Sequence, residues 1–184
     1  MSVMLRLLII AFAMSVFLTG MVITHASARA GGTEIRLDME PVDPRDLLLG
    51  HYVVLDTPLH RLWLDELSGD TSHEWKSGDR LWVGLEAGET GSFQPVSVHT
   101  RQPEGLSIQG RVFHAGSGGI GRSGPVMSVR YNLERYFASP EDALALEELR
   151  NESRLRLIVS VGSDGSAIIR GLEIDGEDHI DRLF

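Results

Sequence analysis

Histidines and carboxylates are the residues of this sequence with the widest chemical range, so their spacing is the first test of function. Six histidines follow residue 30: His51, His60, His73, His99, His114 and His179. None has a second histidine at i+2 or i+4, the short spacing that favours a zinc site. His51 and His60, near Asp56 and Glu66, are the best placed for a metal, but ordinary surface or boundary histidines explain the same spacing. The sequence therefore predicts no metal site and no cofactor.

Three further catalytic patterns also lack support. Serine–lysine hydrolysis needs a neutral, buried lysine beside a serine, and the single lysine, Lys76, lies in the polar stretch "SHEWKSGDR". "GSGGIG", Gly116 to Gly121, fits the dinucleotide-binding pattern, but a turn and a strand follow it instead of a helix. A glycosidase needs two carboxylates at a set separation, and among 26 acids some pair always fits. A hydrolase or carbohydrate-acting enzyme that uses carboxylates and histidines stays open, with no catalytic residue assigned.

Three tryptophans, Trp63, Trp75 and Trp82, lie within a short stretch of the chain. Such a group can line a binding groove, but aromatic side chains in strands more often belong to the core. We expect core positions for them.

The first 30 residues differ in composition from the rest. Arg6 precedes the apolar run "LLIIAFAMSVFLTGMVI", Leu7 to Ile23, which is near the lower length limit for crossing a bilayer. A positive charge before the run places the N-terminus inside and the rest of the chain outside. The run exceeds the usual signal-peptide core of about 7–15 residues, which favours an uncleaved anchor over residues 1–30. The alternative is a signal peptide cleaved in "HASARA" after Ala28 or Ala30.

Residues 31–184 are long enough for one domain with its own core. The chain has no cysteine, which excludes thiol catalysis, iron–sulfur clusters and zinc–thiolate sites. All 26 acids lie after residue 30, together with 15 of the 17 basic residues, so this part carries a net charge of −11. That charge argues against binding nucleic acid or anionic lipid headgroups.

Alternating apolar and polar residues predict a mainly antiparallel β domain, sandwich-like or barrel-like, with one short inserted helix. The clearest hairpins are "RLWVGLE" with "FQPVSVHT", "GLSIQGRVFHA" with "VMSVRYNLE", and "RLRLIVSV" with "SAIIRGLEID" across Asp164-Gly165. Ile35, Leu37 and Met39 form the apolar side of an earlier strand. "SPEDALALEELRNE", from Ser139 to Glu152, has the capping signals of a helix, and "LHRLWLDEL" reads as a second, short helix.

"PVDPRDLLLGHYVVLDT", Pro41 to Thr57, follows the same helix-capping rules. Asp43 is placed as N-cap, Pro44 at the first helical position, Asp46 in the first turn and Gly50 as the stop. One or two helical turns would then lead into a strand at 52–55. Capping and the helix dipole explain both aspartates without catalysis.

These residues resemble the signature of the GDYXXLXY family, small bacterial membrane-anchored proteins. "YNLERYFASPEDALALEE" and "LIVSVGSDGSAIIRGLEIDGE" resemble later segments of the family, so the likeness covers roughly residues 32 to 177. His51 stands where the family has Asp, and Asp56-Thr57 replaces the end of the motif, where Tyr is expected. The resemblance implies a structural or interaction role for the motif positions, which are Pro41, Asp43, Pro44, Arg45, Asp46, Gly50, His51, Tyr52, Leu55, Tyr131, Glu134 and Tyr136.

The resemblance implies a place and a shape more than a reaction. It implies an N-terminal anchor, an extracytoplasmic β-rich domain over residues 31–184 and no assigned activity, with members often encoded beside multi-spanning membrane proteins. We therefore expect a single-pass protein of the inner membrane whose periplasmic domain binds an integral membrane protein without catalysis. The alternatives are the enzyme above and a secreted, soluble ligand binder released by signal cleavage. We also expect Glu134 to join a buried hydrogen-bond network with Arg45.

Overall fold

The computed structural model describes residues 3–40, 52–119, 122–138 and 140–180. In these ranges the chain forms two helices, α1 (Val3–Gly31) and α2 (Pro140–Asn151), and twelve strands. The strands are β1 (Thr33–Asp38), β2 (Tyr52–Val54), β3 (Arg61–Trp63), β4 (Ser68–Gly69), β5 (Arg80–Ala87), β6 (Phe93–His99), β7 (Ser107–Gly119), β8 (Arg122–Arg130), β9 (Arg135–Phe137), β10 (Leu155–Val161), β11 (Ala167–Ile174) and β12 (Glu177–Ile180).

The largest sheet has six strands in the order β3-β8-β7-β5-β6-β4. Its hairpins β5–β6 and β7–β8 confirm two of the predicted pairs. The glycine stretch from Gly116 continues β7 up to Gly119, so the strand extends beyond the predicted segment 105–115 into the stretch expected to form the hairpin loop. The last pairing, β4 with β6, is parallel and was not predicted.

The second sheet has the order β1-β10-β11-β12 and is antiparallel throughout. The predicted β10–β11 hairpin is confirmed, and Gly165 adopts the left-handed conformation that its turn requires, with φ of 82°. The strand β12 was not predicted. It follows a tight turn at Asp175 and Gly176, where φ is 53° and 85°, the conformation of an Asp-Gly hairpin turn.

The two sheets form a sandwich because the alternating apolar faces of both belong to one core. This confirms the mainly antiparallel β fold, and within the described ranges the sheets form no closed barrel. The core side chains contributed by the two sheets are Ile35, Leu37, Leu155, Leu157, Val159, Val161, Leu172, Leu62, Leu81, Val83, Leu85, Val98, Ile108, Val112, Met127 and Val129.

The inserted helix is confirmed as α2, which starts at Pro140 and contacts β2 and β10; its predicted cap, Ser139, lies outside the described residues. Leu146 turns into the core. Beside α2, β2 and β9 form a separate two-stranded sheet.

The expectation of a short helix in "LHRLWLDEL" is wrong. Arg61–Trp63 forms β3, paired with β8, and Leu62 is fully buried. Pairing with the open edge of β8 outweighs the local helical pattern, since tertiary hydrogen bonds override weak propensity.

The helix α1 contains a 22-residue stretch, Val3–Thr24, whose mean hydropathy of 2.4 and length suffice to cross a membrane. None of that stretch is buried against the domain. By length and composition it fits both a membrane anchor and a signal sequence.

Candidate functional site

Six polar side chains from three distant segments meet at the end of the sandwich next to β2 and β9. Asp56, Thr57 and His60 lie between β2 and β3, Tyr131 and Glu134 lie between β8 and β9, and Arg150 lies at the end of α2. We call this group the His60 cluster. It unites two of the family-like segments.

His60 is held by its own loop. The backbone N–H of Thr57 donates to Nδ1 of His60 over 3.0 Å, and the side chain of His60 is only 12% exposed. Since a backbone N–H can only donate, Nδ1 must accept, and the neutral ring carries its proton on Nε2. Oδ1 of Asp56, at 3.3 Å from Nδ1, then faces a lone pair and makes no hydrogen bond to the neutral ring.

The other side of the His60 ring faces the second segment. Its Nε2 lies 3.9 Å from Oε1 of Glu134, and the ring centroids of His60 and Tyr131 are 5.9 Å apart. Both Nε2 of His60 and the hydroxyl of Tyr131 are buried without a hydrogen-bond partner in the described part of the chain. Burial, and then the charge of Glu134, raise the pKa of Tyr131 well above its ordinary value.

Glu134 organises the β8–β9 loop. Its Oε1 accepts hydrogen bonds from the backbone N–H groups of Tyr131 and Asn132 over 2.7 and 3.2 Å. Asn132 has φ of 62°, so the carboxylate stabilises a sharp left-handed turn. The backbone oxygen of Glu134 also accepts from the N–H of Leu55 over 2.9 Å. Glu134 thereby joins the β8–β9 loop to the segment after β2.

Arg150 was not predicted as a site residue. It is 1% exposed, and burial lowers the pKa of its guanidinium while Glu147 and Asp56 act in the opposite direction. It donates to Oδ1 of Asn151 over 3.3 and 3.4 Å. In the sequence it reads as a cation in the last turn of an exposed helix, a favourable surface position, so nothing in the local pattern signals its burial.

The predicted site residues divide into two groups. Tyr131 and Glu134 belong to the cluster, Leu55 is in the core, Tyr136 packs against the core, and Tyr52 pairs with Phe137 through β2 and β9. The other predicted positions lie outside the described residues, and with them the expected pairing of Arg45 with Glu134: Pro41, Asp43, Pro44, Arg45, Asp46, Gly50 and His51.

Glu40 and Tyr52, which flank segment 41–51, both lie near the cluster. The N–H of Glu40, just before the segment, donates to the backbone oxygen of Asp56 over 2.8 Å. Tyr52, just after it, starts β2. The described residues on either side of the motif segment therefore lie near the His60 cluster.

The geometry of the cluster does not suit hydrolysis. A histidine base needs a free lone pair directed at the nucleophile, usually Nε2, with Nδ1–H held by a carboxylate. His60 has the opposite arrangement, because Nδ1 accepts from Thr57. Among the described residues, no three His, Cys, Asp or Glu side chains come close enough to hold a metal ion, and Lys76 is exposed in a turn.

The open clefts formed by the described residues include three of about 370, 350 and 240 Å³. The first is lined by Glu40, Arg61, Trp63 and Glu66 among others, and none of the three contains a histidine. The expectation for the tryptophans holds for Trp75, which is buried. Trp63 and Trp82 are half-buried on the outer side of the large sheet.

Comparison with known proteins gives one match. A family model described as GDYXXLXY protein matches residues 14–172, which is most of the chain. No curated protein and no solved structure gives a significant match.

Proposed function

This chain belongs to the GDYXXLXY family, and we propose that it is a membrane-anchored, non-enzymatic domain that binds an integral membrane protein on the outer face of the cytoplasmic membrane. The apolar helix supplies the anchor, the sandwich is the binding domain, and the His60 cluster lies at one end of it.

The junction between α1 and β1 carries this proposal. Only Gly32 separates the two elements, and α1 contacts β10 and β11. A Cβ on Gly32 would collide with Ser160 and with the backbone oxygen of Val161. The backbone at Gly32 therefore packs directly against the four-stranded sheet where the chain leaves α1. This close packing supports a helix that is a retained part of the domain.

The two signal-cleavage candidates lie inside this helix. Ala28 and Ala30 both fall within Val3–Gly31, and proteolysis favours exposed, flexible segments over helical ones. The family match also begins at residue 14, within the apolar stretch. Both observations support retention of the helix.

The length of the junction supports a domain that lies at the membrane surface. Residues 25–31 continue α1 beyond the apolar stretch and rise about 10 Å. The headgroup layer on one side of a bilayer is about 5–8 Å thick. The sandwich thus begins just above the headgroups, where it meets the exposed loops of membrane proteins, and Arg6 before the apolar run supports the outward orientation.

The His60 cluster supports a role without catalysis. The backbone hydrogen bond from Leu55 to Glu134 joins the β2–β3 loop to the β8–β9 loop, and the neutral ring of His60 directs its Nε2–H to a buried interior. Such an arrangement fixes the conformation of the segment after β2, which suits a rigid binding surface.

The test is affinity capture from gently solubilised membranes with full-length protein tagged at the C-terminus, with the intact mass of the bait measured in the same run. We expect a stoichiometric multi-spanning partner and a bait that retains residues 1–30. The matched control replaces Val3–Thr24 with an unrelated apolar span and should capture the same partner. No partner, together with a bait that begins at residue 29 or 31, would reject the anchor and favour a soluble ligand binder.

A further inference from the structure

Three arginines on neighbouring strands form a row on the outer side of the six-stranded sheet. Arg80 of β5 is the register partner of Arg111 of β7, and Arg111 is the register partner of Arg130 of β8. All three are exposed, whereas their sequence neighbours Leu81 and Val129 point into the core. We call these three residues the arginine row.

Pairing within the domain does not explain the row. Residues 31–184 carry a net charge of −11, yet within the described ranges no carboxylate lies within 4.0 Å of any of the three guanidinium groups. Like charges directly opposite each other on neighbouring strands are destabilising. The row therefore opposes folding slightly and has no compensating ion pair in that part of the molecule.

The outer side of the four-stranded sheet shows the opposite arrangement. Arg36 pairs with Glu173 and Asp178 over 2.7 and 2.9 Å, and Arg156 pairs with Glu173 over 3.0 Å. Arg170 pairs with Glu34 over 2.7 Å. One face of the sandwich thus neutralises its arginines internally, and the other leaves three of them open.

The row is partly preorganised for a ligand. The guanidinium carbon of Arg130 lies 3.8 Å from the centre of the Phe113 ring, which orients the plane of the group and leaves its N–H donors at the edge. Nη1 of Arg111 donates to the backbone oxygen of Gly78 over 3.3 Å. Between them opens the cleft of about 350 Å³, which also includes Asn132 and has no acidic residue in its lining.

We propose that the arginine row binds an acidic helical segment of a membrane partner. Neighbouring strands are about 4.8 Å apart, so the row spans about 10 Å. Glutamates at i, i+3 and i+7 of a helix are spaced by about 5–6 Å and span about 10.5 Å along one face. Each guanidinium then meets one carboxylate, the geometry in which arginine binds most strongly. The inference rests on the proposed function for the source of the segment.

Lipid headgroups match the arginine row less well than a protein segment does, because of the distance between the row and the membrane end of the domain. Ser107, at the start of β7, lines a cleft together with Gly31 at the end of α1. Arg111 lies four residues further along β7, about 13 Å away from that end. Where β7 runs away from the membrane, this distance adds to the rise of residues 25–31, and the row then lies beyond the headgroup layer, at the level of the extramembrane loops of a partner.

The probe is a fluorescent, alanine-rich helical peptide with glutamates at i, i+3 and i+7. The control peptide has the same sequence with glutamines at these three positions. Full-length protein in zwitterionic nanodiscs is compared with R80Q/R111Q/R130Q and with R101Q/R154Q/R170Q, which removes the same charge elsewhere. We expect the glutamate peptide to bind, its affinity to fall at least about tenfold in the first variant, and a change under about threefold in the second.

Four results would overturn the proposal: no binding of the glutamate peptide at low salt, equal binding of the glutamine peptide, equal losses of affinity in both variants, or loss of peptide binding when the nanodisc contains anionic lipid.

Capture from membranes separates this inference from the proposed function. A partner captured equally by wild type and by R80Q/R111Q/R130Q rejects the row and leaves the function intact. A wild type that captures no membrane protein rejects the function itself.

Discussion

Substitution of Glu134 separates two explanations for the β8–β9 loop. One is that the carboxylate acts as a hydrogen-bond acceptor for the backbone. The other is that its negative charge is needed for pairing with a cation. Glu134→Gln keeps an acceptor oxygen for the N–H groups of Tyr131 and Asn132 but removes the charge, whereas Glu134→Ala removes both.

The structure sets the expected magnitudes. In Glu134→Ala the N–H of Tyr131, a residue only 4% exposed, loses its acceptor at a cost of about 1–3 kcal/mol. Asn132 is exposed, so water replaces its bond at smaller cost. We expect a loss of about 2–3 kcal/mol in the free energy of unfolding for Glu134→Ala, and about 1 kcal/mol or less for Glu134→Gln, which loses only charge assistance.

The assay is urea unfolding of the full-length protein in detergent, followed by tryptophan fluorescence. Glu104→Ala is the matched control, because Glu104 is an exposed glutamate, and it should stay within about 0.5 kcal/mol of wild type. Equal losses for Glu134→Gln and Glu134→Ala would refute the acceptor role and favour an ion pair. A Glu134→Ala variant as stable as the control would refute both.

Three further predictions concern other parts of the fold. Tyr131→Phe removes a buried hydroxyl that has no partner among the described residues, so urea unfolding should show unchanged or slightly higher stability; a loss above about 1 kcal/mol would contradict this. Gly110→Ala places a methyl group 2.5 Å from Cγ1 of Val129 and 2.7 Å from Cε1 of Tyr131 and should cost about 1–3 kcal/mol. Gly124→Ala, with 3.5 Å to its nearest atom, should be nearly neutral, and equal effects of the two substitutions in the same unfolding assay would show that the close contacts at Gly110 are unimportant. Hydrogen bonds from Thr100 hold the pKa of Asp70 below its ordinary value, so its contribution is complete above about pH 4 and is lost as the pH falls through the folded-state pKa. Asp70→Asn should therefore flatten the loss of stability below about pH 4, and parallel acid profiles for variant and wild type would count against it.

The sandwich was predictable where one strand face is buried and the other is not. Ile35 and Leu37 alternate with charged residues, and the hairpins at 80–99 and 155–174 follow the same rule. Successive side chains of a strand point to opposite faces, so a sheet buried on one face alternates apolar and polar residues. The helix α2 was predictable from its capping residues. In both cases the signal is local.

The elements that were missed have no local signal. All four residues of β12 are exposed, so no alternation marks it, and only the Asp175-Gly176 turn points to a hairpin. The segment around β3 looks helical, since Leu59 and Leu62 are three residues apart, but pairing with β8 decides its state. Such choices depend on which strand edge is open, which the segment itself does not encode.

The His60 cluster was predictable only in part. Its motif residues Tyr131 and Glu134 were found through the family likeness. Arg150 and the bond from Thr57 to His60 were not, because residues 57, 131 and 150 share no spacing and meet only in the folded chain. The tautomer of His60 follows from a single backbone contact, which no sequence pattern records.

The helical continuity between α1 and the sandwich has a rotational consequence. Because residues 25–31 are helical and run almost directly into β1, each residue inserted there turns the domain by about 100° around the helix axis and lifts it by about 1.5 Å. One inserted residue turns the arginine row to a different side of the helix axis. Seven inserted residues return the row to within about 20° of its original direction and raise it by about 10.5 Å. The number of residues in this stretch therefore sets the rotation of the domain about the helix axis, and with it the side of the domain that faces a neighbouring membrane protein.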